Sequence, residues 1–138
     1  MSFNIKKPWL KNRTDYYRTE KVNFHGRSFD SKGEAGLYNY LLMLEKDNQI
    51  QELICKPQIL VGPEGALRKE RQLMIPDFSA FCLKEQKVIF HEFKGFEDEK
   101  WRYKKKMWLW HGPGVMVIYK GSAKNFKVVE EITPLGLR

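Results

Sequence analysis

The segment Leu73–Gly95, LMIPDFSAFCLKEQKVIFHEFKG, decides how this chain folds. Two apolar runs flank a charged break, Lys84 to Lys87, the pattern of two antiparallel strands joined by a turn. Asp77, Glu92 and Lys94 nevertheless stand inside those runs, where strands carry apolar or neutral side chains. Side chains alternate across a strand, so Asp77 shares a face with Leu73, Ile75, Ser79 and Phe81. Glu92 shares one with Val88, Phe90 and Lys94. A turn centred between Lys84 and Glu85 sets Asp77 directly opposite Glu92. Opposed Cβ atoms lie roughly 4.5–5.5 Å apart, and like charges at that range are destabilising. Two such carboxylates require a proton, a cation or water between them.

Upstream, Ser31 followed by Glu34 is a capping-box pattern, and the spacing of apolar residues predicts a helix from there to about Lys46. Leu37, Tyr38, Leu41, Leu42 and Leu44 form one apolar arc, and Glu34 falls within it, in line with Tyr38 and Leu41. Val22–Phe29 reads as a short hairpin around His25–Gly26. Ile50–Val61 reads as a strand interrupted or bent at Pro57, and residues 62–71 as a loop. Gln72–Cys82 and Lys87–Lys94 are the two strands of the opening hairpin. Downstream, Glu97–Trp110 reads as a helix with acidic residues in its first turn, stopped by the HGPG stretch at His111–Gly114. Its apolar residues are spread nearly all round, so the buried side is left open. Val115–Tyr119 is a short buried strand, and Lys127–Ile132 is either a further strand or a final turn. The order helix, three strands, helix, strand gives an α/β or α+β domain with a mixed central sheet. The length of 138 residues fits one domain, residues 21–138, preceded by a basic aromatic arm, residues 1–20.

Lys94, two residues beyond Glu92, projects from the same face as a partial counterion, and Glu34 can reach the same place from the helix. Three carboxylates and a lysine gathered on a buried sheet face are costly for structure alone. A hard divalent cation with oxygen ligands, Mg²⁺ or Mn²⁺, resolves the repulsion. Each residue also has a plainer explanation. Glu34 can simply close the capping box, Asp77 after Pro76 can belong to a turn or bulge, and Glu92 with Lys94 can be a solvated edge pair. His91 points to the opposite face from Glu92 and is read as packing or surface. His25 and His111 sit in turns.

Net charge is +8, which favours polyanionic partners. Seven of the cations lie in residues 1–29: Lys6, Lys7, Lys11, Arg13, Arg18, Lys21 and Arg27. A second cluster comprises Lys100, Arg102, Lys104, Lys105 and Lys106. Trp9, Tyr16 and Tyr17 accompany the first cluster, and Trp101, Tyr103, Trp108 and Trp110 the second. Cations interleaved with aromatics suit phosphates and exposed bases, as in DNA, although a solvated basic surface gives the same pattern. Cys55 and Cys82 both fall in strand-like runs and read as buried, reduced thiols; no Cys/His spacing suits structural zinc. No apolar run approaches the ~18 residues of a membrane span, and the first residues lack the apolar core of a signal peptide. A cytoplasmic location and no membrane partner are therefore expected.

Pro76–Asp77, then Glu92–Phe93–Lys94, with Glu34 on a preceding helix, resemble the PD-(D/E)xK nuclease superfamily. From about Val22 to Lys120 the layout resembles small bacteriophage nuclease-like proteins and is similar to phage endonuclease I-type Holliday junction resolvases. The resemblance implies a restriction-endonuclease-like core of order α-β-β-β-α-β. It implies a Mg²⁺-dependent DNA endonuclease, with Mn²⁺ as substitute, acting on branched or junction DNA. Asp77, Glu92 and the Phe93 carbonyl would hold the metal, Glu34 would complete the site, and Lys94 would orient or deprotonate the attacking water. Gln58 is a weaker candidate for a further polar site residue. Lys6, Lys7, Lys11, Arg13, Lys100, Arg102, Lys104 and Lys105 would contact the DNA backbone. A homodimer would suit two cuts at a junction, and the bacterial host cytoplasm would be the location of a phage product. A nicking or restriction-like nuclease and a non-catalytic nucleic-acid binder on the same fold are the alternatives.

Overall fold

The structure, a computed structural model, describes residues 22–24, 27–122 and 124–137. The arm, with Lys6, Lys7, Lys11 and Arg13, lies outside the described residues, as does His25–Gly26. A two-residue connection joins β1 (Val22–Phe24) and β2 (Arg27–Phe29) as an antiparallel pair, as the sequence suggests. Helix α1 (Lys32–Lys46) follows, capped by Ser31, whose Oγ accepts from the Glu34 N–H at 3.1 Å. The remaining elements are β3 (Ile50–Cys55), β4 (Ile59–Val61), a 3₁₀ turn (Arg68–Glu70), β5 (Gln72–Met74), β6 (Phe78–Cys82) and β7 (Lys87–Phe93). Helix α2 (Glu99–His111), β8 (Val115–Gly121), β9 (Phe126–Ile132) and a 3₁₀ turn (Leu135–Leu137) complete the order.

The main sheet has the order β3-β6-β7-β8-β9 and is antiparallel except for the β7–β8 pair. Parallel neighbours need a long crossover, and α2 supplies it. The domain is thus mixed α/β, with a mostly antiparallel central sheet and two α-helices among the described residues.

Two expected strands are each divided in two. Ile50–Val61 breaks at Lys56–Gln58, and Gln72–Cys82 breaks at Ile75–Asp77. In both, a proline (Pro57, Pro76) removes a ladder donor. The outer pieces, β4 and β5, pair with each other as a separate ribbon. The expected continuous face from Leu73 through Asp77 to Phe81 is therefore corrected: Leu73 belongs to the ribbon and Asp77 to the break before β6. Lys127–Ile132 is a strand, because Phe126–Ile132 pairs along β8.

Helix α1 covers one side of the sheet. Leu37, Tyr38 and Leu41 bury against Phe29, Ile50, Phe78, Ala80 and Tyr119, and the Tyr38 and Phe78 rings stack at 5.6 Å. Helix α2 covers the other side through Trp101 and Trp108, which pack with Phe90, Met116, Ile118 and Ile132. Those two tryptophans are seven residues apart, two helical turns, and so share a face; Tyr103 and Trp110 remain exposed. Trp108 is fully buried, and its Nε1 donates to the Gly114 carbonyl at 2.8 Å. Truncating such a side chain costs about 3–5 kcal/mol. No helix among the described residues is long and apolar enough to cross a membrane.

Candidate metal centre

The expected acidic residues meet at one end of the main sheet, where β3 ends, β6 begins and β7 ends. Phe78 pairs with His91, so Asp77, one residue before β6, faces Glu92 in continuing register. The two carboxylates do more than face each other. The Asp77 N–H donates to Glu92 Oε1 at 3.0 Å, and the Phe93 N–H donates to Asp77 Oδ2 at 2.8 Å. Each acid thus accepts the peptide hydrogen that the broken ladder leaves unpaired. Asp77 and Glu92 are both 6 % exposed, and Glu34 is 4 % exposed. Burial, then the charges of Glu92 and Glu34, push the Asp77 carboxyl well above the usual range. Burial also raises Glu92, against the pull of Lys94.

Glu34 is placed by the first turn of α1. Gly33 beside it has no Cβ, and one built there would overlap the Phe93 ring; only glycine lets the helix start this close to β7. One expectation is corrected here. The acids do not gather on a single sheet face: Glu92 lies on the α2 side with Phe90, while Glu34 comes from α1 on the other side, and they approach around the sheet's end.

What joins the two sides is a residue the sequence reading did not single out. Lys56, just after β3, sets its Nζ 2.8 Å from Glu34 Oε1, 3.3 Å from Asp30 Oδ2 and 3.5 Å from Asp77 Oδ1. Partial burial opposes its charge, but the three carboxylates prevail and its pKa is raised. Its backbone is left-handed, with φ of 56°, and its N–H donates to the Asp77 carbonyl at 2.8 Å. A left-handed non-glycine residue costs about 1–2 kcal/mol and persists where its surroundings over-determine it. The sole sequence signal was a lysine before proline at a strand end.

On the α2 side, Lys94 Nζ lies 3.4 Å from Glu92 Oε2 and 4.3 Å from the centroid of the Trp101 ring. Glu92, Lys94, Lys100, Trp101 and Lys104 line one cleft of about 180 Å³ together with Ile75 and Pro76. Trp101 Nε1 is buried without a hydrogen-bond partner among the described residues. Arg102 is exposed. Lys105 does not line the cleft; it pairs with Glu97 at 3.2 Å and Glu130 at 2.7 Å. Glu97 also pairs with Lys120, and these two lysines hold its carboxyl down at about 2. Gln58 is exposed in the break between β3 and β4. His91 is buried, with Nδ1 2.8 Å from the Tyr119 hydroxyl, and burial lowers its pKa to about 4. Its role is packing.

Three buried carboxylates are oxygen donors of the kind a hard divalent ion takes, and burial raises the pKa of two of them, Asp77 and Glu92. Glu34 Oε1 is buried, and its contact among the described residues is the 2.8 Å ion pair with Lys56. Among the described residues no three acidic, histidine or cysteine side chains are grouped so as to hold a metal ion, and backbone N–H groups and Lys56 contact oxygens of Asp77 and Glu92.

Fold and site together define a mixed α/β domain with a buried acid–lysine centre at the end of its sheet. The chain belongs to the family described as "Protein of unknown function (DUF1064)", which matches residues 14–128. Comparison with curated proteins finds no match.

Proposed function

We propose that this protein is a metal-dependent DNA endonuclease with a restriction-endonuclease-like core, hydrolysing phosphodiester bonds at the Asp77–Glu92–Lys94 centre, with branched DNA as its preferred substrate. The observation that carries the reading is the reciprocal pairing of Asp77 and Glu92, both buried, with Lys94 on one flank and Glu34 on the other. A structural role is a poor account of three buried carboxylates, because burying like charges together opposes folding.

The ligands of a Mg²⁺ or Mn²⁺ ion would be Asp77, Glu92 and the Phe93 carbonyl, with Glu34 nearby. Such an ion supplies Lewis-acid activation of water and neutralises charge developing at phosphorus. Lys94, tethered between Glu92 and the Trp101 ring, orients the water and stabilises the developing negative charge. Lys100 and Lys104 hold the DNA backbone along the cleft that leads from Lys94. The arm adds further cations, and affinity should fall steeply with salt. A homodimer would place two such centres on the arms of a junction. The branch preference, the dimer and a location in the bacterial host cytoplasm rest on the resemblance to junction resolvases.

The test is incubation of the protein with supercoiled plasmid and with linear, nicked, flapped, forked and four-way DNA, in Mg²⁺ or EDTA. Cleavage should require the metal and be strongest on branched substrates. Glu92→Gln should abolish it while binding persists, and Lys94→Ala should reduce turnover more than affinity. Uniform nicking of plasmid would select the nicking or restriction-like alternative. Binding without cleavage under every divalent metal would instead mean a non-catalytic DNA binder.

A further inference from the structure

We propose that the ammonium group of Lys56 is a built-in cation that occupies the position between Glu34 and Asp77, so that this centre takes a single divalent ion where paired-metal nucleases take two. The inference rests on the nuclease reading above and deepens it.

Geometry argues first. Two-metal sites hold ions roughly 3.5–4 Å apart, sharing a carboxylate between them. Here Asp77 is the shared acid: Oδ2 faces the Phe93 N–H on the Glu92 side, and Oδ1 faces Lys56 on the Glu34 side. The place of a second ion, bounded by Asp77 Oδ1 and Glu34 Oε1, is therefore the place where Lys56 Nζ sits, at 3.5 and 2.8 Å. Those are ammonium–oxygen distances, longer than the roughly 2.0–2.1 Å of Mg²⁺.

Charge argues the same way. Glu34, Asp77 and Glu92 bring three buried negative charges, Asp30 at the rim a fourth, and Lys56 and Lys94 two positive ones. One divalent ion turns the net charge from −2 to zero. Two divalent ions would leave +2 with both lysines still in place.

The backbone explains how the lysine is kept there. Its left-handed φ of 56° and the 2.8 Å bond from its N–H to the Asp77 carbonyl fix the direction from which the side chain leaves. Glycine is the residue such a conformation favours. Asn48, Glu52 and Gln86 share that conformation, so what sets Lys56 apart is the place its ammonium group reaches.

Titration calorimetry with Mn²⁺, in the absence of DNA, reads the stoichiometry directly. The wild-type chain should bind one ion, Lys56→Arg one, and Lys56→Met two, with the extra ion lost again in Lys56→Met/Glu34→Gln. Should Lys56→Met fail to fold, Lys56→Gly removes the same charge and suits the left-handed backbone. Two ions in the wild type, or one ion at unchanged affinity in Lys56→Met and Lys56→Gly, overturns the inference and leaves the nuclease reading standing. No Mn²⁺ uptake by any of these proteins overturns both.

Discussion

Asp77→Asn separates a strained ligand from a structural acceptor. Asparagine keeps an oxygen for the Phe93 N–H, now 2.8 Å from Asp77 Oδ2, so that backbone donor keeps its acceptor. The variant gives up the 3.5 Å contact to Lys56, whose side chain is 41 % exposed. That contact is worth no more than about 1 kcal/mol after solvent screening. In exchange it removes one of three buried carboxylates, and with it the repulsion from Glu92 and Glu34. Relief of this kind commonly adds about 0.5–2 kcal/mol. The net expectation is a gain near 1 kcal/mol, or roughly 3 °C in Tm for a domain of this length, together with loss of cleavage and equal or tighter DNA binding. The pH dependence has a definite sign. A carboxyl whose pKa is raised on folding weakens the folded state only where it is ionised in the unfolded chain. The advantage of the variant should therefore grow as pH rises above the ordinary value of 3.8 and vanish below it. Urea unfolding in EDTA from about pH 4 to 8, alongside DNA binding, measures both. A variant less stable than the wild type by about 1 kcal/mol, and weaker on DNA, would refute the reasoning, because Asp77 would then be an acceptor that the fold needs charged.

Two further predictions follow from the packing around the site. Gly33→Ala drives a methyl into the Phe93 ring, so it should cost about 1–3 kcal/mol despite alanine's better helix propensity, and should reduce cleavage by displacing Glu34. Phe93→Leu in the same chain should restore part of both, and a Gly33→Ala protein with unaltered Tm would show that α1 is not held against that ring. His91 has its pKa lowered by burial from 6.5 to about 4, so the unfolded state takes up its proton first and stability should fall as pH drops between those values. At ~1.4 kcal/mol per unit the full effect is about 3.5 kcal/mol, and His91→Gln, which can still bond the Tyr119 hydroxyl, should flatten the profile; an unchanged slope in chemical unfolding would assign the acid sensitivity elsewhere.

The parts of this site legible in sequence are those governed by local rules. Alternation and a charged turn placed Asp77 against Glu92, because pairing register in a short hairpin follows from where the turn falls. Ser31 announced the start of α1, and a glutamate inside an apolar arc marked Glu34 for burial. Other features needed the assembled fold. The strand breaks at Pro57 and Pro76 sent β4 and β5 into a ribbon of their own, and an apolar run gives no sign of which strand it will pair. In α2, aromatic residues on every side hid the buried face until the sheet chose Trp101 and Trp108. Lys105, one basic residue among five, proved to be bound by Glu97 and Glu130, a partnership across 25 residues for the second.

By itself, then, the sequence determined the Ser31 cap of α1, the hairpin register and the meeting of two carboxylates, since each depends on neighbours a few residues or one turn away. Tertiary structure alone decided that Glu34 arrives from the opposite layer and that Lys56 stands between it and Asp77. Those contacts join residues 22 and 21 positions from Lys56, through a left-handed backbone that no periodicity encodes, and long-range electrostatics of that kind exist only once the chain has closed on itself.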